Sequence, residues 1–455
     1  MPALLWLRRD LRRADHPALL AALDAADGAL AVLFVVDPHL WERGGPVRRA
    51  WVAASLQAVQ ASYGGRIAVR YGRPDEVVPA VAEEVRAGSV HVTREVTGAG
   101  MRRDERVREA LATQGVEWVE TGTPYAVGPG LVRNGSGDPY KVFTPFHRAW
   151  QQHGWPAPAE DPAELSLLDV ESDDEALELL DEALAVEDLP ELPAAGEAAA
   201  LARWADFCDE ALADYTQDRD RPDHDGTSRL SAYLKIGAVH PRTLLADLAP
   251  KRSTGSATFA KELAWREFYA DVLFHQPWSA WRDLRDALEG LRYDEPEDAI
   301  EAWKRGETGY PIVDAGMRQL LATGWMHNRV RMITASFLTK DLHVWWPVGA
   351  RWFLDRLVDG DIASNNHGWQ WVAGTGTDAA PYFRVFNPVL QGEKFDPAGD
   401  YVRRWIPELR HVEGKAVHQP WEVEDGYAEG YPRRLVDHSE ERKDTLARYE
   451  AVKKG

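Results

Sequence analysis

Short apolar runs and amphipathic stretches alternate along the first 130 residues. The apolar runs are rich in β-branched side chains and predict strands at residues 4–7, 29–36, 67–71, 89–92 and 116–120. The stretches between them carry apolar positions at helical spacing and predict helices at residues 17–26, 47–63, 75–87 and 104–114. Strand, helix and strand in repetition predict a doubly wound α/β domain with a parallel, Rossmann-like sheet.

Polar side chains follow several of these strands. In a doubly wound sheet, ligands favour the carboxyl ends of the strands. Residues 8–10, Asp37 and residues 93–103 are predicted to lie at that edge. No GxGxxG follows the first strand, so the dinucleotide fingerprint is absent.

The pattern changes to helical spacing alone after about residue 198. Helices are predicted at residues 201–215, 228–236, 258–274, 296–305, 312–323, 329–338 and 348–357. Gly and Pro separate these segments, and 13 of the 19 tryptophans lie in this part of the chain. The pattern predicts an all-α domain with an unusually aromatic interior.

The segment between these parts is proline-rich and then acidic. Residues 160–191 contain 14 Asp or Glu and no Lys, Arg or His, which favours a solvated linker over an interaction tail. The predicted organisation is an α/β domain at 1–130, a linker at 131–197 and an all-α domain at 198–455.

Charge and composition leave a nucleic-acid partner open. The net charge of −20 falls to −6 without the acidic segment, so the remainder can carry a local basic face. A single cysteine, Cys208, excludes an internal disulfide, and no apolar run is long enough to span a membrane. Arg8 and Arg9 directly follow the first apolar run, the wrong order for a secretory signal. We expect a reduced, cytoplasmic protein.

One stretch, residues 355–388, has little apolar periodicity. It combines two adjacent asparagines with Trp369 and Trp371 and a Gly/Thr-rich turn. Gly374 and Gly376 oppose a long helix, so we expect a binding loop that holds something flat or aromatic. The alternative is a loop that lays its tryptophans on the core.

Three shorter motifs carry candidate chemistry. GTSRLS at 226–231 resembles the start of a helix, either a phosphate site or an ordinary N-cap. KELAWREFY at 261–269 places Glu262 and Trp265 on one helix face, as a recognition surface or a buried pair. MHNRVRM at 326–332 brings an amide, cations and a thioether together, which suits a flat heterocycle beside a phosphodiester.

Together these motifs resemble the DNA photolyases and cryptochromes, and among them most closely the class I cyclobutane pyrimidine dimer photolyases. The resemblance covers essentially the whole chain. It rests on LLWLRRDLR (4–12), GTSRLS (226–231), WREFY (265–269), GYPIVDAGMRQL (309–320), GWMHNRVRM (324–332), DGDIASNNHGWQW (359–371) and FNPVLQGEKFDP (386–397).

The resemblance implies a bound FAD, active as the two-electron-reduced anion. It assigns cofactor binding to Tyr215, Thr227, Ser228, Arg229, Leu230, Ser231, Arg331, Asp359, Gly360, Asp361 and Asn365. A cation such as Arg331, paired with Asp359, and an uncharged amide at Asn365 suit an anionic flavin better than another carboxylate.

The resemblance also implies a lesion pocket for a pyrimidine dimer flipped out of UV-damaged DNA. It assigns substrate and DNA contacts to Glu262, Trp265, Asn328, Arg329, Met332, Trp371 and Gln391. Glu262, if protonated, is expected to hydrogen-bond the lesion carbonyls, and the tryptophan faces are expected to stack on the bases.

The implied photoreduction relay departs from the family. Two of its three tryptophans match Trp369 (proximal) and Trp346 (middle), whereas Tyr293 stands where the exposed third is expected. A tyrosine is harder to oxidise without losing its proton, which predicts slower or pH-sensitive photoreduction. The alternative is that another tryptophan takes the role; Trp345 is a neighbour, but it matches no family position.

An antenna chromophore is implied in the α/β domain. Gly100, Arg102, Arg103 and Asp104 resemble the deazaflavin-binding members, and Arg48 is a further candidate. The expected antenna is 8-hydroxydeazaflavin, with methenyltetrahydrofolate or an empty pocket as alternatives.

The expected function is that of a deoxyribodipyrimidine photo-lyase. An electron from excited reduced FAD splits the cyclobutane ring and then returns, so no metal is needed. We expect a monomer that acts on damaged DNA and has no membrane partner. The alternatives are a cryptochrome-like photoreceptor and a 6-4 photoproduct lyase, and Met332 argues against the latter because its members usually carry histidine there.

Overall fold

The first part of the chain forms a single parallel sheet. The computed structural model describes residues 1–378 and 384–454, except for the side chains of Ala287, Lys453 and Lys454. The strands are β1 (Ala3–Leu7), β2 (Leu30–Val36), β3 (Ile67–Tyr71), β4 (Ser89–Val92) and β5 (Glu117–Glu120). Their order is β3-β2-β1-β4-β5, which reverses direction at β1 as a doubly wound sheet does. The predicted strands and α/β class are confirmed.

Burial along the strands explains their sequence pattern. Every residue of β1 and β2 is buried, so these strands read as continuous apolar runs. Helices cover both faces of such a sheet and leave no polar side to alternate with the apolar one. In register, Ala3 lies opposite Leu30 on one side and Ser89 on the other.

The described residues contain twenty α-helices. They are α1 (Pro17–Ala25), α2 (Pro38–Glu42), α3 (Pro46–Ser62), α4 (Pro74–Glu84), α5 (Gly98–Thr113), α6 (Phe143–His153), α7 (Asp174–Leu184), α8 (Glu197–Glu210), α9 (Tyr215–Asp218), α10 (Ser231–Ile236), α11 (Pro241–Leu248), α12 (Thr254–His275), α13 (Glu297–Arg305), α14 (Pro311–Thr323), α15 (Asn328–Ser336), α16 (Trp346–Arg356), α17 (Ile362–Ala373), α18 (Pro388–Phe395), α19 (Asp400–Trp405) and α20 (His438–Lys454). Within the described ranges, none of them has the length and hydropathy that a membrane span needs.

Two compact units divide the chain. The first unit comprises Met1–Leu189, Pro193–Ala213 and Ser228–Pro277, and it contains the sheet together with α8, α10, α11 and α12. The second unit comprises Pro190–Leu192, Asp214–Thr227 and Trp278–Gly455. This division differs from the expected boundary at residue 198, and the expected domain boundaries remain a prediction.

The second unit has an aromatic core, as the tryptophan distribution predicted. Trp303 and Trp346 are fully buried, and Trp369 is 3% exposed. Burying such large apolar side chains is the main stabilising contribution available to a helical bundle. Helices α15, α16 and α17, which bear several of the expected site residues, pack directly on this core.

The interpretation of residues 355–388 as a loop was wrong for its central part. Helix α17 covers Ile362–Ala373 and includes both asparagines and both tryptophans. The Asp361 side chain accepts hydrogen bonds from the N–H groups of Ala363 and Ser364, each at 3.1 Å, and Gly374 ends the helix with φ at +93°. This cap pair and the burial of Trp369 outweigh the weak helix propensity of asparagine and glycine. Residues 379–383 of the stretch lie outside the described residues.

Candidate functional site

Helix α17 presents the best-defined part of the site in the second unit. Asn365 and Trp369 are four residues apart and therefore share one helix face. Trp369 is anchored in the aromatic core, where its ring lies 5.0 Å from Phe353 and 6.1 Å from Trp303, centroid to centroid. This anchor fixes the rotation of the helix and with it the direction of the Asn365 face.

An ion pair lies beside this helix. The Arg331 guanidinium donates to Oδ2 of Asp359 at 2.8 Å, and its Nε donates to the Met326 carbonyl at 2.8 Å. The Asp359 side chain is 3% exposed. Its second oxygen, Oδ1, is buried and accepts no hydrogen bond from any described residue. A buried carboxylate oxygen without a donor is costly, so this acceptor suits an N–H or O–H group of a bound cofactor.

The Asn365 amide is oriented by its own hydrogen bonds. Its Nδ2 donates to the Ala350 carbonyl at 3.0 Å and to Oδ1 of Asn366 at 2.8 Å. Asn366 is held in turn, because its Nδ2 donates to the Ala280 carbonyl. Both amide protons of Asn365 are thereby used on the protein, which leaves its Oδ1 as the hydrogen-bond acceptor toward a ligand.

The remaining expected cofactor residues lie on two segments. Tyr215 is 8% exposed at the start of α9. Gly360 is closely packed, since a Cβ there would lie 3.3 Å from the carbonyl oxygens of Leu354 and Leu357. Thr227 ends a segment of the second unit. Residues 228–231 begin a segment of the first, where α10 starts at Ser231, three residues after the predicted start at residue 228, and no described side chain caps its N-terminus.

The backbone just before α10, at residues 228–230, forms a turn held by hydrogen bonds. The Ser228 carbonyl accepts from Nε of Arg203 at 3.1 Å, and the Ser228 hydroxyl accepts from the Leu230 N–H at 3.3 Å. Arg229 has φ at +52°, an uncommon conformation for a residue with a Cβ. Strain of this kind is typical of functional turns.

The expected relay residues lie together in the second unit. Trp346 is fully buried at the start of α16, and its indole Nε1 donates to Oδ1 of Asp283 at 2.6 Å. Tyr293 is half-buried and its ring lies 6.5 Å from that of Trp345. Burial raises the pKa of the Tyr293 phenol, and nearby Asp283 and Tyr449 raise it further, so the phenol is protonated at neutral pH. Sequence reasoning did not foresee Asp283.

The expected DNA residues of the second unit differ in accessibility. Asn328 is exposed in the first turn of α15, whereas Trp371 and Gln391 are half-buried. Arg329 is engaged within the protein: its guanidinium donates to Oδ1 of Asp220 at 2.8 Å and lies 4.6 Å above the Phe395 ring. Its NH1 also lies 3.6 Å from the sulfur of Met332. A phosphate contact by Arg329 would therefore compete with Asp220.

In the first unit, α12 carries Glu262 and Trp265. Both are half-buried, and Trp265 stacks on Phe143 with ring centroids 3.6 Å apart. One face of the indole is thus occupied by the protein, and Phe268 and Tyr269 lie 5.7 and 5.4 Å from the same ring, centroid to centroid. Phe143 gave no signal in the sequence beyond being apolar, because residues 143 and 265 are distant in the chain.

The expected antenna residues of the first unit include a charged cluster at the carboxyl ends of the strands. Asp104 accepts from Arg103 at 2.7 Å and from Arg8. A Cβ at Gly100 would lie 2.2 Å from Cγ of Glu95, so the glycine makes room for this side chain. Burial alone would raise the pKa of Glu95, but neighbouring arginines lower it to about 2. Arg102 is exposed and Arg48 is half-buried on α3.

Known families match this chain along most of its length. A family model described as the FAD binding domain of DNA photolyase matches residues 259–451, and one described as DNA photolyase matches residues 3–163. A protein from Vibrio cholerae named deoxyribodipyrimidine photo-lyase is 40% identical over 469 residues, which cover 99% of each chain. The chain therefore belongs to the DNA photolyase family, and its helical part is an FAD-binding domain.

Solved structures refine the relationship. A bacterial class III photolyase from Agrobacterium tumefaciens matches with a TM-score of 0.92 and 38% identity, covering 100% of this chain and 98% of that one. A cryptochrome from Synechocystis matches with a TM-score of 0.88 and 27% identity, covering 98% of each chain. The expected placement closest to the class I enzymes is not supported by these comparisons.

Proposed function

We propose that this chain is a deoxyribodipyrimidine photo-lyase that repairs cyclobutane pyrimidine dimers in DNA with light. The observation that carries the proposal is the 40% identity, over 99% of both chains, to a protein of that name. A cryptochrome matches over a similar length but with 27% identity, which favours repair over light sensing.

The proposed FAD site is built on the Arg331 and Asp359 pair and on Asn365. The unpartnered Oδ1 of Asp359 and the Oδ1 of Asn365 are two acceptors that fit the N–H groups of a reduced flavin. The Arg331 cation favours an anionic form of the cofactor. Bound and reduced, FAD supplies light absorption and the electron that opens the cyclobutane ring.

The proposed lesion contacts come from six further positions. Trp265 and Trp371 offer aromatic faces for stacking, Met332 a thioether, and Asn328 and Gln391 amides for hydrogen bonds. Glu262, when protonated, donates a hydrogen bond to a carbonyl of the dimer and stabilises the charge that develops there. Extracting a dimer from the duplex costs less than extracting an intact pair, because a damaged base stacks poorly.

An 8-hydroxydeazaflavin antenna is proposed for the first unit, at Gly100, Arg102 and Asp104 with Arg48 nearby. Its support is the likeness of residues 93–107 to deazaflavin-binding members. Reconstitution with the deazaflavin is expected to extend the action spectrum of repair to the absorption band of that chromophore. Reconstitution with methenyltetrahydrofolate is the comparison, and binding of that chromophore instead would contradict the assignment.

The function is tested by repair of an oligonucleotide that contains one thymine dimer. Protein with chemically reduced FAD is expected to remove the dimer under blue light and not in darkness. Glu262→Gln keeps the shape of the side chain but weakens the stabilisation of charge, so repair per absorbed photon is expected to fall about tenfold, which corresponds to about 1.4 kcal/mol. The measurement is dimer loss against absorbed light.

Glu210→Gln is the matched control, because Glu210 is exposed on α8 in the same compact unit. It is expected to repair at the rate of the wild type. No light-dependent dimer loss by the wild type, with reduced FAD bound, would refute the proposed function. Activity on 6-4 photoproducts alone would assign the chain to the other repair reaction.

A further inference from the structure

An exposed tryptophan adjoins the middle residue of the proposed relay. Trp345 immediately precedes α16, and its ring centroid lies 6.4 Å from that of Trp346. Trp346 is fully buried, whereas Trp345 is 37% exposed. Trp345 is therefore an exposed ring in direct reach of the buried Trp346.

The inner end of this path is also set by packing. A Cβ at Gly349 would lie 2.2 Å from Cη2 of Trp369, so the Trp369 ring rests directly on the backbone of α16 at that position. Trp346 lies three residues before Gly349, on the same face of the helix. Trp369, Trp346 and Trp345 thus follow one another from the core to the surface.

Tyr293 is a poor end point for this path. Its ring lies 6.5 Å from that of Trp345, centroid to centroid, and Tyr293 is only half-buried. Loss of an electron makes a phenol strongly acidic, so its proton has to leave with the electron. Burial, with Asp283 and Tyr449, raises the pKa of the phenol, so Tyr293 starts as the neutral phenol and oxidation there has to be coupled to loss of the proton. An indole, in contrast, persists as a cation, and Asp283 accepts the hydrogen bond of Trp346 at 2.6 Å.

A second branch from Trp369 leads inward. Trp303 lies 6.1 Å from Trp369 and is fully buried, and its indole N–H donates to the Thr334 carbonyl at 3.1 Å. A positive charge on Trp303 has no contact with water through which a proton can leave or a reductant can approach. Of these two branches, as far as the described residues show them, the Trp345 branch is the one that ends at an exposed tryptophan.

We propose that Trp345, rather than Tyr293, is the terminal electron donor when the flavin is photoreduced. This inference rests on the proposed function. Trp369 gives one electron to the light-excited oxidised flavin. Trp346 replaces the electron lost by Trp369, and Trp345 replaces the electron lost by Trp346. The Trp345 radical cation then releases its indole proton to water. A dissolved thiol returns one hydrogen atom and becomes a thiyl radical, so electrons and protons balance.

The test is flash photolysis of protein that holds oxidised FAD, with transient absorption as the readout. Trp345→Phe is expected to lower the yield of the long-lived tryptophanyl radical about tenfold, because the charge returns from Trp346 before it is released. Tyr293→Phe is expected to keep that yield within about twofold of the wild type. A tyrosyl radical in the wild type, or loss of the signal in Tyr293→Phe alone, would overturn the proposal.

Controls separate this result from misfolding and from failure of the proposed function. Trp278→Phe removes another exposed tryptophan, 52% accessible, and is expected to keep the full radical yield. The difference in acrylamide quenching between the FAD-free wild type and Trp345→Phe reports whether Trp345 is exposed, without any photochemistry. Repair by dithionite-reduced wild type, which bypasses the relay, tests the proposed function by itself. Failure of that repair with an intact tryptophanyl signal would refute the function but not the donor.

Discussion

His367 is a buried histidine whose charge state is set by its surroundings. It is 0% exposed in α17, its Nδ1 donates to the Ala363 carbonyl at 2.8 Å, and its Nε2 lies 3.0 Å from the Ser279 hydroxyl. Burial lowers its pKa from 6.5 to about 4, against the opposing charge of Asp361. The folded protein therefore keeps this imidazole neutral over a range in which the unfolded chain protonates it.

The direction of the pH dependence follows from this shift. Because the folded pKa is lowered, the contribution of His367 to stability is complete above pH 6.5 and is lost as the pH falls toward 4. Between pH 7 and pH 5 the loss amounts to about 2 kcal/mol. The difference in unfolding free energy between the wild type and His367→Gln is expected to shrink by that amount. Urea unfolding at the two pH values measures it.

His39→Gln is the control for this measurement, since His39 is exposed on α2. Its pH profile is expected to run parallel to that of the wild type. A constant difference between the wild type and His367→Gln at both pH values would show that His367 is not held neutral by burial.

Two residues of the candidate site show what could and could not be predicted from the sequence. The ion pair of Arg331 with Asp359 was expected and is present at 2.8 Å. The orientation of the Asn365 amide was not expected, because it depends on Ala280 and Ala350, whose carbonyls carry no signal in the sequence. The role of a site residue can be predicted from its type and its motif. The direction of its hydrogen bonds depends on backbone carbonyls that come close only in the folded chain.

Two helix glycines give a direct test of packing at the level of elements. Gly349 lies inside α16 against the Trp369 ring of α17, where a Cβ would come within 2.2 Å of Cη2. Gly349→Ala is therefore expected to displace Trp369 and to lower the unfolding free energy by about 1–3 kcal/mol, the usual cost of overpacking a core. Urea unfolding of the FAD-free protein measures this.

Gly368 is the matched control within α17. A Cβ at Gly368 would meet nothing within 4 Å, so alanine there gains helix propensity at no steric cost. Gly368→Ala is expected to raise the stability of the FAD-free protein by about 0.5–1 kcal/mol. Equal destabilisation by both substitutions would show that α16 and α17 do not pack through Gly349.

The same two elements explain why helix prediction succeeded in one place and failed in the next. Residues 348–357 have apolar positions at helical spacing, and α16 was found there with its start two residues earlier. Residues 362–373 lack such spacing, because α17 also buries the polar residues Asn366, His367 and Gln370. Helix prediction depends on apolar residues that recur at helical spacing. A helix that buries polar residues on the same face does not show that spacing.

The charge of the whole molecule opposes its proposed substrate. DNA is a polyanion and the chain has a net charge of −20. Part of that charge is exposed on α7, at Glu175, Glu178, Asp181 and Glu182. At an ionic strength of about 0.01 M, charges act over about 30 Å, a distance comparable to a small domain. At that salt concentration the exposed carboxylates of α7 contribute to the repulsion of DNA.

Neutralising these four carboxylates is therefore expected to tighten DNA binding by about tenfold at 0.01 M salt and by much less at 0.15 M, where the screening length is about 8 Å. The variant exchanges each Glu for Gln and Asp181 for Asn, and fluorescence anisotropy with a dimer-containing duplex measures Kd.

The control variant exchanges each Glu for Asp and Asp181 for Glu, which keeps the charge, and it is expected to bind DNA as the wild type does. An equal gain at both salt concentrations would mean that α7 acts by contact with the DNA, because a direct contact is not screened as a distant charge is. No gain at either would show that the acidic segment leaves DNA binding unaffected and that the positive contacts alone determine affinity.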